Sequence, residues 1–378
     1  MKLATSALIA ALSLLFSFAA PAQQAPLRIG FLTVRTGPLA AGGRQMEEGI
    51  NLFLKERNNT LAGRKVQIFF GDTAGQPAQA KSKAQELVER EKVHILVGPL
   101  ATFEALALDD YVLQAKVPLL PPMSAAQNDL AQRKQSDYVI HTYGTAAQAM
   151  YPLGDYATTK LGIKRLAMIA DDFTYGHEGA AGFHKAFEDA GGKVVQKLWP
   201  PLNAPDYGSF IGQLKPNVDG VYAGFAGSNP VRFLRAYREY GLKPTVFGNP
   251  TLADEGILKN MGEEALGVYT AATYTSGLWI EEAMKLVKGK FEDKAAFVKA
   301  LHEVKLDHGP MGPLRLDEYG KPILNVYIRK VEKKNGELVN VTVATYRDVS
   351  QFCKYDAKAF IAGPQYSRDY PPVRFAEP

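Results

Sequence analysis

The residue types nearest to catalytic chemistry in this chain are His177-Glu178 and, further along, His184. On a helix, an H-E-x-x-H pair holds zinc through two histidines four residues apart, with the glutamate as base. The position four after His177 is Ala181, so the second ligand is missing. The six histidines show no other metal-ligand spacing, and no metal or cofactor is expected. There is no phosphate-cradling G-x-x-x-x-G-K-[ST] loop and no G-x-S-x-G nucleophile elbow. Cys353, the one cysteine, lies between Phe352 and Lys354 with no motif around it, and reads as incidental or structural. The sequons Asn58-Asn-Thr60 and Asn340-Val-Thr342 carry little meaning for a bacterial exported chain. No catalytic residue emerges, and the expectation is a protein that binds without turnover.

The elements that must position a binding site begin after an export signal. Met1-Lys2 supplies one positive charge, and Leu3 to Ala20 is uncharged and apolar. Ala20-Pro21-Ala22-Gln23 then gives a small-x-small exit before a polar residue, the pattern of a cleaved secretory signal over residues 1–22. No later segment is long and apolar enough to span a bilayer. The remaining length exceeds the usual single-domain range, so two domains are expected. Basic residues number 44 against 39 acidic ones and are spread along the chain, whereas a nucleic-acid binder would cluster them.

From Leu27 on, short apolar runs alternate with longer amphipathic ones. Leu27–Val34 reads as a buried strand, Gly37–Gly43 as a loop, and Met46–Lys55 as a helix with Met46, Ile50, Phe53 and Leu54 on one face. Strands at Lys65–Phe70, His94–Gly98 and Val117–Leu120 alternate with helices at Ala78–Glu91 and Phe103–Ala115. The pattern recurs with strands at Tyr138–Thr142, Arg165–Ala170, Lys193–Leu198, Gly220–Gly224 and Thr245–Phe247. Helices at Ala146–Leu161, Glu178–Ala190, Tyr207–Leu214 and Val231–Tyr240 separate them. Such alternation means βαβ units and parallel sheets. Two runs of it predict an α/β fold of two doubly wound lobes, with a ligand cleft at the C-terminal strand ends. Helices at Leu278–Lys290 and Lys294–Val304 precede a β-rich tail, where Lys333-Lys334-Asn335-Gly336 marks a hairpin turn.

Ile29-Gly-Phe-Leu-Thr with Thr36-Gly37-Pro38 resembles the opening of type I periplasmic binding proteins. Further matches follow in order: Gly71-Asp72, Gly98-Pro99, Pro122-Met-Ser124, Asp171-Asp172 with Tyr175-Gly176, Asp206-Tyr207, Asp219-Gly-Val-Tyr222 and Gly241-Leu242. Each is weak alone; order and spacing make the set specific. The tail, Tyr327–Val331, Val343–Tyr346 and Cys353, is most similar to the aromatic-compound branch of that family. The resemblance implies an ABC-importer binding component in the periplasm, acting as a monomer, that closes on a small molecule and passes it to a membrane permease. It also implies a hinged architecture: residues 23–145 plus 275–320 as one lobe, 146–274 plus 321–364 as the other, and 365–378 as a tail. The segment between Tyr274 and Trp279 is shorter than in most such proteins.

The same resemblance places the ligand against Thr102, Phe103, Ser124, Ala125, Tyr175, Phe225 and Asn249. Thr102 and Ser124 would hold a carboxylate, because free N–H groups at helix starts attract anions. Phe103, Tyr175 and Phe225 would supply apolar walls. Amino-acid binders place an acid after the strand at Thr245–Phe247, but here that loop reads Gly248-Asn249-Pro250-Thr251, and Asp254 and Glu255 follow only later. A buried ammonium left unpaired costs several kcal/mol. The expected ligand is therefore a small aromatic or hydrophobic carboxylate, with a branched-chain amino acid or amide, or a sensory role, as the alternative.

Overall fold

The computed structural model describes residues 24–121, 136–272, 278–309 and 312–376. Two sheets organise it. The first is built around β1 (Leu27–Thr33), flanked by α1 (Ala40–Glu56), β2 (Thr60–Leu61), β3 (Arg64–Asp72), α2 (Pro77–Glu89), β4 (Ile95–Val97), α3 (Thr102–Leu106), α4 (Asp109–Ala115) and β5 (Leu119–Leu120). Its strand order is β2-β3-β1-β4-β5, parallel from β3 to β5. Helices cover it, so β1 is apolar and almost wholly buried, as a parallel strand enclosed on two faces requires.

The second sheet follows α5 (Met150–Thr159) and continues through β6 (Arg165–Ala170), α6 (Thr174–Asp189), β7 (Lys193–Leu198), α7 (Gly208–Ile211), β8 (Gly220–Gly224), α8 (Asn229–Glu239) and β9 (Thr245–Gly248). A 3-10 turn at Pro250–Ala253, α9 (Glu255–Leu258) and β10 (Tyr269–Ala272) complete that run. Strands β7-β6-β8-β9-β10 are parallel neighbours. Phe183 and Phe187 of α6 stack at 5.7 Å, and Phe183 meets Tyr222 of β8 at 5.0 Å and Phe247 of β9 at 5.7 Å. Burying each such ring contributes about 1.5–3 kcal/mol, which fixes α6 against the sheet.

The chain then crosses back. Helices α10 (Leu278–Leu286) and α11 (Lys294–Glu303) pack on the first lobe: Arg57 binds Glu281 at 2.8 Å, and the buried Arg64 donates to the Gly289 carbonyl at 2.7 Å. Arg64 also donates to the Ala25 carbonyl through Nε at 2.9 Å, tying down the start of the described fold. Strands β11 (Lys305–Gly309), β12 (Gly312–Leu316), β13 (Pro322–Lys334) and β14 (Glu337–Val349) follow, and α12 (Ala357–Ala362) precedes the C-terminal tail. β13 runs antiparallel to β10 and thereby joins the second sheet, with β12 and β11 beyond it. The lobe boundary expected at residue 320 thus falls between two hydrogen-bonded neighbours, β12 and β13. Gln148 Nε2 clamps this region, donating to Pro322 O at 2.8 Å and Val349 O at 2.7 Å.

Candidate functional site

The C-terminal ends of β1, β4, β6, β8 and β9 converge on one cleft between the lobes, where the crevice of an open parallel sheet should lie. From the first lobe come Leu39, Ala41, Gly42 and Gln45 of α1 and its approach, with Leu100 and Ala101 before α3. From the second come Phe173, Ala226, Gly227, Thr251, Asp254 and Ile257. The lobes nearly close the space they outline, leaving a cavity of only ≈ 20 Å³, and its walls are mostly apolar. The lobes touch across it. Ser228 N–H donates to Pro38 O at 3.2 Å, Gln45 Nε2 donates to Asp254 Oδ1 at 2.7 Å, and Phe103 meets Phe173 edge-on at 6.1 Å.

Buried groups hold the second-lobe loops in place. Asp171, fully buried at the end of β6, accepts from Ala226 N–H through Oδ2 at 3.0 Å and from Asn229 Nδ2 through Oδ1 at 2.8 Å. Burial pushes its carboxyl up to about 7 against the pull of those donors. Arg232 donates in turn to Asn229 Oδ1 at 2.6 Å. Thr251 Oγ1 donates to Phe225 O at 2.7 Å, so the Tyr175 hydroxyl, 3.2 Å away, donates to Thr251. Burial raises the Tyr175 hydroxyl well above its ordinary range, keeping it a donor. In the first lobe, fully buried Glu104 accepts from Ala101 N–H at 3.1 Å.

The residues named from sequence fall in different layers. Thr102 is fully buried at the start of α3, and Phe103 takes part in the contact between lobes. Tyr175 lies behind Thr251, bracing the cleft loop. The Phe225 ring is fully buried against Tyr207 at 5.0 Å and Phe233 at 4.5 Å, and only its carbonyl reaches the loop through Thr251. Asn249 is fully buried and accepts a hydrogen bond from the Tyr222 hydroxyl. Ser124 and Ala125 lie outside the described residues. Gln45, Phe173, Thr251 and Asp254 were not anticipated. The loop Gly248–Thr251 carries no acid, and Asp254 reaches the cleft because the 3-10 turn at Pro250–Ala253 returns the chain to the cleft rim. Asp254 was visible in the sequence but stood beyond the loop where an acid was sought.

Among the described residues no group of three or more His, Cys, Asp or Glu side chains is placed to hold a metal. His177 pairs with Asp172 at 2.8 Å and His184 with Glu188 at 2.9 Å, two separate contacts.

Two facing parallel-sheet lobes with a mostly apolar cleft at their strand ends define a solute-binding protein. Residues 26–278 match the family described as periplasmic binding protein, and the chain belongs to that family. It is 30% identical over 373 residues to the Leu/Ile/Val-binding protein homolog 6 of Brucella suis, covering 88% of this chain and 94% of that one. A solute-binding protein of an ABC transporter from Rhodopseudomonas palustris BisB5, solved with 3,4-dihydroxybenzoic acid, superposes with a TM-score of 0.79 at 30% identity, over 86% of this chain and 98% of that one. Another from Rhodopseudomonas palustris HaA2, solved with p-hydroxybenzoic acid, gives 0.79 at 27%, over 88% and 100%.

Proposed function

We propose that this chain is exported to the periplasm through cleavage of residues 1–22 and captures a small aromatic carboxylate for an ABC permease, without catalysis. The observation that carries the reading is the cleft wall. Leu39, Leu100, Phe173 and Ile257 form an apolar slot, and among the described residues polar side chains enter it only at Gln45, Thr251 and Asp254. Once the lobes part, such walls suit a flat ring, and aromatic pairing with Phe173 adds about 0.5–1.5 kcal/mol beyond area burial. The two Rhodopseudomonas palustris proteins, solved with hydroxylated benzoic acids, support the same class. Anchoring of Ala25 by Arg64 supports a mature chain that starts just ahead of it. A branched-chain amino acid is the second reading, favoured by Asp254, which could face an ammonium, and by the Brucella relative.

The test is calorimetry of the mature protein with benzoate, 4-hydroxybenzoate, leucine and phenylalanine. Binding of the aromatic acids, with the ligand recovered unchanged, is expected. Binding of leucine with no response to either aromatic acid would overturn the proposal. A ligand at 100 times its Kd adds about 2.7 kcal/mol of stability, so thermal shift gives an independent reading.

A further inference from the structure

Asp254 joins two sets of bonds on the cleft. It caps α9, its Oδ1 accepting from Gly256 N–H at 2.8 Å and Ile257 N–H at 3.1 Å. The same Oδ1 accepts from Gln45 Nε2 of the opposite lobe at 2.7 Å. The missing side chain of Gly256 makes room for that amide: a Cβ there would stand 1.7 Å from Gln45 Nε2. Capping and interlobe contact thus both fall on one oxygen, and Oδ2 takes none of these bonds. Asp254 is also the one charged residue among the described residues lining the cleft.

A carboxylate oxygen accepts hydrogen bonds and donates none. Near Asp254 a ligand carboxylate meets like charge, whereas a hydroxyl on the ligand ring meets an acceptor. Resting on the reading of an aromatic-acid binder, we infer that Asp254 determines which aromatic acid is held: Oδ2 accepts from a ring hydroxyl while Gln45 closes onto Oδ1. The ligand's own carboxylate then points away, toward the Leu100–Thr102 side of the first lobe. Discrimination in a site built to bond a hydroxyl comes chiefly from the analogue that lacks it, which leaves a buried polar group without its partner.

The experiment is calorimetry of the mature protein with benzoate, 4-hydroxybenzoate and 4-methoxybenzoate, the last keeping the ring oxygen but losing its hydrogen. A hydrogen bond to a charged acceptor supports a preference of roughly 10–100-fold for 4-hydroxybenzoate over the other two. In Asp254→Asn, which keeps a good helix cap, that preference should fall below about threefold, because 4-hydroxybenzoate loses more affinity than benzoate does. Gln45→Ala should weaken all three ligands by a common factor, because it acts on closure. Equal binding of the three ligands by the unmodified protein overturns the inference and leaves the aromatic-acid reading standing; that arm needs no variant to fold. An Asp254→Asn protein that loses all three equally also overturns it. If none of the three binds and leucine does, the reading beneath it has failed instead.

Discussion

The two lobes solve one problem with different chemistry. Each must fix the loop that forms its side of the cleft, and each hands a backbone N–H of that loop to a fully buried carboxyl. In the first lobe Glu104 takes Ala101 N–H at 3.1 Å. In the second Asp171 takes Ala226 N–H at 3.0 Å, and its other oxygen takes Asn229 Nδ2 at 2.8 Å. Asp171 faces two donors and so needs two acceptor oxygens. Glu104 Oε1 takes no hydrogen bond from the described residues: the nearby Thr73 hydroxyl gives its hydrogen to Thr33 O at 3.1 Å, and Gln76 N–H is given to Thr73 O at 2.9 Å. On that side a donor would serve. The second lobe therefore needs two acceptor oxygens, which a carboxyl supplies and an amide does not, and the first needs something an amide can imitate.

The sharpest separation of the two should be in pH. Burial raises the Asp171 carboxyl from an ordinary value of 3.8 to about 7. Between those values the native protein keeps a proton that the unfolded chain has released. Stability from this group is thus full below the unfolded value and is withdrawn as pH rises through the window. The swing is at most about 4 kcal/mol over about three pH units. Buried His94, His141 and His184 are held low by desolvation and slope the opposite way, so the raw profile mixes both signs. Asp171→Asn isolates the term. Denaturant unfolding at about pH 5 and about pH 8 should show the original protein losing its advantage over the variant as pH rises. Parallel profiles would remove Asp171 from its assigned role.

A smaller effect is expected at Gly227, on the loop that Asp171 holds. It lies at φ +63°, and a Cβ there would stand 2.0 Å from Pro38 O of the other lobe. Gly227→Ala adds about 1–2 kcal/mol of backbone strain in any state. The collision with Pro38 exists only where the lobes meet. Affinity for the aromatic acid should drop at least about tenfold, or 1.4 kcal/mol, beyond what the shift in unfolding midpoint accounts for. Small-angle scattering with ligand should show a larger radius than for the unmodified protein. An unchanged Kd would mean that this contact plays no part in closure.

What the sequence disclosed follows the same division. Apolar runs such as Arg165–Ala170 and Gly220–Gly224 are buried strands as read, because a doubly covered sheet leaves no other pattern open. The turn at Asn335-Gly336 has φ of 52° and 87°, the left-handed pair expected of a two-residue hairpin. The loop expected at Gly37–Gly43 instead enters α1 at Ala40, since Gly43 serves for close approach: a Cβ there would lie 1.8 Å from Val34 O. The helix expected at Phe103–Ala115 divides into α3 and α4. In the site, Tyr175 and Phe225 were apparent as aromatics, yet which face of a loop a ring takes is decided by packing. Gln45 and Asp254 stand 209 residues apart, and nothing local in either stretch announces the other. Pairings of that kind belong to the folded cleft alone.

The smallest effect is expected from Glu104→Gln, and its smallness carries the comparison. Burial raises the Glu104 carboxyl, favouring the protonated form. Protonated, it accepts from Ala101 N–H through Oε2 and has a hydrogen on Oε1, which takes no hydrogen bond from the described residues, to offer to Thr73 Oγ1. A glutamine amide offers the same acceptor and the same donor at nearly the same volume. No buried group loses a partner, so the mechanisms behind large single-site losses are absent. Stability near neutral pH should stay within about 1 kcal/mol of the original or rise slightly, and ligand affinity within about twofold. Asp171→Asn, by contrast, turns an amide hydrogen toward one of two fixed donors and costs about 1–3 kcal/mol even where pH is held constant. Parallel chemical unfolding of the two variants reads the difference directly. Were Glu104→Gln to cost as much as Asp171→Asn, both lobes would require two acceptor oxygens beneath their cleft loops, and the asymmetry drawn from Thr73 would be wrong.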